Sequence, residues 1–247
     1  MSRFVLLRAL VLGCTAPALL AATVDADKPG PEGKAQADLG VEVSELSPVI
    51  ANPYVAFASM KRAVFEGEEL DPETGEAVEI RVEVTVRDVH ATVAGVEVTV
   101  VEVSDFEDGE LVEKTEDYYA QHRSGAVYYI GEKVDDYDDG EIVSHGGQWR
   151  AGEDGARAGM FMPAAPKVGD VFETERAPGV AEDRSKVVAA GTTVTVPAGT
   201  YKDCIETEDF DPIGKTSQRK CYCRGVGLVQ EIFGEGKSLQ LVELEAR

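Results

Sequence analysis

From residue 78 the chain alternates. Ile80, Val82, Val84 and Val86 are separated by Arg81, Glu83 and Thr85, the period-two pattern of a strand with one dry and one wet face. The phase changes between Asp88 and Val89. A turn at Ala94-Gly95 leads into Val96, Val98 and Val100, and a second phase change at Val100-Val101 reads as a bulge. Asp108-Gly109 is a hairpin signal, because both residues tolerate the positive φ of a type I′ turn. Residues 111–121 answer it. Ser124-Gly125 turns into 126–130, and Asp139-Gly140 is another hairpin signal, answered by 141–145. No stretch sustains a helical period, so an α/β reading fails and an antiparallel meander is expected.

The pattern resumes further on. Residues 167–170 form a turn into a strand at 171–175, and 186–190 return to the β pattern. Residues 192–196 are β-branched and end at Pro197-Ala198-Gly199, a turn. Residues 201–207 restart as a strand, Asp211-Pro212-Ile213-Gly214 turns, and 218–224 return. Gly225-Val226-Gly227 breaks the run before 228–233. Upstream, 55–65 fits either a turn and strand or a single helical turn. Residues 66–77, with Gly67, Pro72 and Gly75, read as a loop. The expected fold is all-β: residues 51–247 as one antiparallel meander curled into an open or half-open β-barrel.

The N-terminal end has a different character. Residues 1–22 carry Arg3, a mostly apolar run and small residues at Ala21 and Ala22, the make-up of a secretory signal segment. Val11-Leu12-Gly13-Cys14 looks like a lipobox, which would make Cys14 a lipidation site. The apolar run continues past Cys14, so cleavage near Ala22 or Ala26 is the preferred expectation. Residues 23–50 are polar, acidic and rich in Gly, Pro and Ala, and read as a disordered linker. Together these place the protein outside the cytoplasm, secreted, periplasmic or lipid-anchored on a bacterial envelope, and not integral to the membrane.

Charge narrows the function. Among 247 residues, 46 Asp and Glu oppose 24 Lys and Arg, for a formal net charge of −22. Nucleic-acid binding needs clustered basic residues to displace counterions, and none are here.

Candidate chemistry is sparse. Hairpin geometry about Ile213 sets Cys204 opposite 221–223. Cys221 and Cys223 share a face because strand side chains alternate, so either can form a disulfide with Cys204 and one thiol is left over. Asp135, Asp136, Asp138 and Asp139 supply hard oxygen ligands, and calcium is their candidate cation, although the EF-hand spacing fails at Tyr137 and Gly146. His90, His122 and His145 are isolated and match no zinc motif. Trp149, Met160, Phe161 and Met162 flank a glycine-rich stretch and are candidates for the mouth of an apolar cavity, the alternative being a plug for the core. No nucleophile elbow, phosphate loop or dinucleotide fingerprint occurs.

Several short elements resemble a group of uncharacterised exported bacterial β-proteins. They are Asp117-Tyr118-Tyr119-Ala120-Gln121, Ser144-His145 with Trp149-Arg150-Ala151-Gly152, Met162-Pro163 with Lys167-Val168-Gly169-Asp170, Val196-Pro197-Ala198-Gly199-Thr200 with Cys204, and Gly225-Val226-Gly227-Leu228-Val229. The last two are also similar to pieces of the bacterial lipoprotein-localisation factors, and that similarity implies a half-open barrel around a lipid tail. Cys221 and Cys223 depart from the family pattern. The expected function is therefore non-catalytic: an exported protein that binds a lipid, another apolar small molecule or an envelope protein partner. A calcium- or transition-metal-binding protein and an unrecognised hydrolase are the alternatives.

Overall fold

The computed structural model describes residues 39–70, 74–234 and 237–247. Their strands, in chain order, are β1 Leu46–Ser47, β2 Met60–Leu70, β3 Ala77–Val93, β4 Val96–Glu107, β5 Glu110–His122, β6 Val127–Asp138, β7 Glu141–Ser144, β8 Trp149–Arg150, β9 Gly159–Met162, β10 Val171–Glu173, β11 Arg184–Val196, β12 Gly199–Asp211, β13 Thr216–Cys223, β14 Gly227–Ile232 and β15 Ser238–Ala246. All belong to one antiparallel sheet. Its order is β10-β11-β12-β13-β14-β15-β2-β3-β4-β5-β6-β7, with β1 on β5 and both β8 and β9 on β6. The C-terminal strand β15 thus lies beside β2 and joins the two halves of the chain.

Tight turns set this topology. Ala94 and Gly95, Asp108 and Gly109, and Asp139 and Gly140 all have positive φ, the backbone twist that lets two-residue hairpins follow the twist of their strands. The sheet curls until β9 lies against the segment after β10. Gly159 is required there: a Cβ would sit 1.9 Å from the Thr174 carbonyl oxygen. Arg157 and Arg176 form one isolated bridge, but no strand ladder joins the two ends. The molecule is a curled sheet and is not closed into a barrel.

The all-β antiparallel expectation holds, and the phase change at Asp88-Val89 is a register shift between Val86 and His90. The second phase change, at Val100-Val101, lies opposite that same shift: Val101 pairs with Val86 and Thr99 with His90, and the extra residues are on β3. Two details differ. The first part of the expected loop at 66–77 is strand, because β2 runs through Leu70, and β3 begins at Ala77. Gly67 is not a loop glycine: a Cβ would meet the Ser238 carbonyl oxygen at 2.3 Å, so it permits close approach of β15. Finally, residues 39–50 are part of the folded body and not linker. Leu39 is 1% exposed and Ile50 2%, Leu46 pairs with His122, and the Leu39 carbonyl accepts from the Ala158 amide. The acidic composition hid two apolar anchors. The proposed signal segment, Cys14 and the rest of the linker lie outside the described residues. Among the described residues, no helix is long and apolar enough to cross a membrane.

Candidate functional site

Residues directly paired across a ladder share a face of the sheet. Val187, Thr207, Lys220, Glu231 and Leu239 are paired in turn from β11 to β15. Leu241, on the same face as Leu239, pairs with Phe65, which continues through Val82, Asp105 and Glu113 to Asp136. A parallel row runs Val86, Val101, Asp117 and Glu132. One face of the curled sheet therefore carries apolar residues mixed with acids. Asp105, Glu113, Asp117, Glu132, Asp136, Glu175 and Asp209 are all buried, and Lys220 is the one buried base among the described residues.

Burial disfavours the charged form of a carboxyl group, and crowding by other carboxylates adds to it. Burial and then Asp136 and Asp117 push Glu113 up to about 8. Burial pushes Asp117 up to about 7, against the pull of hydrogen bonds from Thr115 and Tyr129. Asp105, Glu132 and Glu175 also lie well above the carboxylate range, from burial first and neighbouring acids second. Lys220 behaves differently. Burial works against its charge, but Glu231 and Asp209 outweigh that and raise its pKa; its Nζ is 3.4 Å from Asp209 Oδ2.

An aromatic layer adjoins the acids. Tyr119 contacts Phe57 at 5.1 Å and Phe161 at 5.2 Å between ring centroids, and Tyr129 meets Trp149 edge-on at 5.3 Å. The Tyr129 hydroxyl donates to Asp117 Oδ1 at 3.1 Å. Among the described residues, the Tyr119 hydroxyl, Trp149 Nε1 and both Glu175 carboxyl oxygens find no hydrogen-bond partner.

Beside this layer, and sharing Phe57 and Phe161 with it, lies a small apolar pocket, a cavity of about 30 Å³. The stretch from Tyr54 to Phe57 lines it together with Met60, Ala63, Phe65 and Val84. Tyr222, Val226, Gly227 and Leu228 complete the lining. Arg224, exposed, stacks its guanidinium 5.6 Å from the centre of the Tyr54 ring.

The residues singled out from sequence scatter across this frame. Phe161 lines the pocket. Trp149 and Met162 are buried in the core and Met160 is packed partly buried against it, so the four do not form one mouth. Asp135 and Asp136 are neighbours on β6 and so point to opposite faces. Asp136 is buried inside, and Asp135 binds Lys133 at 2.6 Å and His145 at 2.9 Å. Asp138 and Asp139 stand exposed at the β6–β7 turn. The calcium expectation for this loop therefore fails on geometry. His90 pairs with Glu97, His122 with Glu45 and His145 with Asp135; the three histidines do not meet. Among the described residues, no group of three His, Cys, Asp or Glu side chains is placed to hold a metal ion. Cys204 is bonded to Cys223, its ladder partner, and Cys221 is a buried free thiol pushed by burial up to about 11.

The interior acids were missed from sequence, although a signal was there. Asp105 follows Val101 and Val103 in the dry phase, and Asp136 follows Val134. In an acidic chain those positions look like errors in an alternation. Comparison with protein-family models, with curated proteins and with solved structures finds no match.

Proposed function

We propose that this is a non-catalytic exported protein that binds a small apolar molecule or a single acyl chain in the pocket between β2, β3, β13 and β14. The observation that carries the reading is the lining of the pocket, which is apolar and aromatic and includes Phe161 and Tyr222. Its cavity of about 30 Å³ is well below the roughly 300–1,000 Å³ of pre-formed small-molecule sites, so a ligand enters by displacing the half-buried side chains Val226 and Leu228. Export rests on the N-terminal signal pattern, and an envelope setting on the resemblance to exported β-proteins.

The test is native mass spectrometry of the protein purified from its own host, together with titration by the uncharged fluorophore N-phenyl-1-naphthylamine. A co-purifying apolar mass and saturable fluorescence enhancement support the reading. Leu228→Trp, which fills the rim, should abolish both. A bare polypeptide mass with no fluorescence enhancement would leave the scaffold role ahead.

A further inference from the structure

Three of the pocket's lining residues, Val226, Gly227 and Leu228, belong to the connection from β13 to β14 and the start of β14. This connection is fixed on one side and loosely held on the other. β13 ends at Cys223, which is bonded to Cys204 on β12, and Tyr222 beside it pairs with Ile205. The β14 branch lacks that support. Among the described residues β14 pairs with β15 only from Gln230 to Ile232, so Gly227 and Leu228 are laddered to β13 alone. That ladder carries a register shift between Cys221 and Tyr222, which leaves Val229 as the extra residue, and a bulge is where a strand bends. Gly225 and Gly227, with φ of 77° and 90°, give the turn the conformational freedom of a hinge. Two contacts then close the turn onto the opposite wall. The Gly225 amide donates to the Pro53 carbonyl at 2.7 Å, and the Arg224 guanidinium lies over the Tyr54 ring.

Resting on the pocket reading, we propose that residues 224–228 are a lid, latched shut by Arg224 on Tyr54 and Gly225 on Pro53, and that the ligand is bound with this lid open. The closed cavity of about 30 Å³ has room for about one or two water molecules, so an apolar molecule cannot lie beneath a shut lid. Most of the lining cannot yield: Phe57, Phe65, Phe161 and Tyr222 are buried, and Tyr222 is held beside the disulfide. Val226, Leu228 and Tyr54 are the half-buried lining residues. Two of them are on the lid and the third is its catch. The Cys204–Cys223 bond thus decides which branch moves, by fixing β13 and leaving the β14 side to swing. The latch works against binding, because apparent affinity is reduced by the fraction of molecules in the open state. Weakening a contact at the mouth therefore strengthens binding.

The experiment is stopped-flow mixing of N-phenyl-1-naphthylamine with the full chain. The latch holds only the closed state, so Arg224→Ala should raise the association rate constant and lower Kd by the same factor, about two- to fivefold for a cation–π contact at an exposed site. The dissociation rate constant should not change. Arg224→Lys keeps a cation but loses the planar stacking group, and should fall between Arg224→Ala and the parent. An arginine that merely supported the fold or touched the ligand would raise Kd when removed. Unchanged rates, a raised Kd, or both rate constants raised at constant Kd would overturn the lid and leave the apolar pocket standing. Failure of the parent chain to bind the probe would overturn the pocket reading and the lid with it. Should Arg224→Ala fail to fold, Arg224→Lys decides the matter by the same split between association and dissociation.

Discussion

Tyr119 stacks on Tyr129 with ring centroids 4.9 Å apart and planes 15° from parallel, but among the described residues only one of the two hydroxyls finds a partner. Tyr129 donates to Asp117, whereas the Tyr119 hydroxyl meets none of them. The pair is a matched experiment on one hydroxyl at a time. Tyr129→Phe removes a donor from a buried carboxyl and should cost about 1–3 kcal/mol. Tyr119→Phe removes an unpaired hydroxyl and should be neutral or stabilising. Urea unfolding of the two variants checks this, and equal losses would contradict the hydrogen-bond assignment.

The interior acids make stability depend on pH in an unusual direction. Asp117 and Glu113 are raised to about 7 and about 8. A raised carboxyl pKa means the folded state holds its proton more tightly than the unfolded chain. The contribution is therefore full below the unfolded values, roughly pH 4, and is lost as pH rises through 7 and 8. For Asp117 alone it is on the order of a few kcal/mol. The urea midpoint should fall steadily from pH 5 to pH 9. Asp117→Asn should remove up to about 1.4 kcal/mol per pH unit from that slope.

Lys220 is the other half of this electrostatic arrangement. It is 2% exposed and lies between Asp209 and Glu231. Removing one partner of a buried pair leaves an uncompensated charge, at about 3–5 kcal/mol. Lys220→Met should cost that much in urea unfolding at pH 8. A double variant with Asp209→Asn should recover part of the loss. If Lys220→Met is as stable as the parent at pH 8, the charge balance described for the interior is wrong.

The fold was readable because its information is local. Asp108-Gly109 and Asp139-Gly140 specify hairpins by conformation alone, and the alternation from Ile80 to Val86 specifies a face. What was not readable depends on partners distant in the chain. Gly67 looks like a loop glycine until Ser238 is brought against it. Leu39 and Ile50 stand among Val41, Val43, Leu46 and Val49, but this apolar signal is masked by the acidic, Gly- and Pro-rich residues around it, and the partners of Leu39 and Leu46 lie far along the chain. The site was harder still. Asp105, Asp117 and Glu132 become a cluster only when three strands are in register, and the pocket draws on residues from 54 to 228. Phe161, which lines that pocket, stood out in sequence because an aromatic beside glycines is conspicuous. Asp138 and Asp139 were equally conspicuous, and they serve a turn.

Hairpin arithmetic set Cys204 opposite 221–223 but could not choose between the two cysteines; the ladder does. Cys204 pairs directly with Cys223, their Cα atoms 4.0 Å apart, whereas Cys221 pairs with Glu206. The bond closes a loop of 19 residues in sequence separation, for which chain entropy gives about 3 kcal/mol. Cys204→Ala with Cys223→Ala should lose about that amount, and the loss should vanish when both proteins are compared under reducing conditions. Cys221→Ala removes a small buried side chain that takes no part in the bond, and should cost less than about 1.5 kcal/mol. Because burial pushes the Cys221 thiol up to about 11, Cys221 in the native protein at pH 7 should resist iodoacetamide and react only after unfolding, as peptide mapping would read. Rapid alkylation of Cys221 in the folded protein, or a peptide map joining Cys204 to Cys221, would show that the thiols exchange and that the ladder does not fix the pairing.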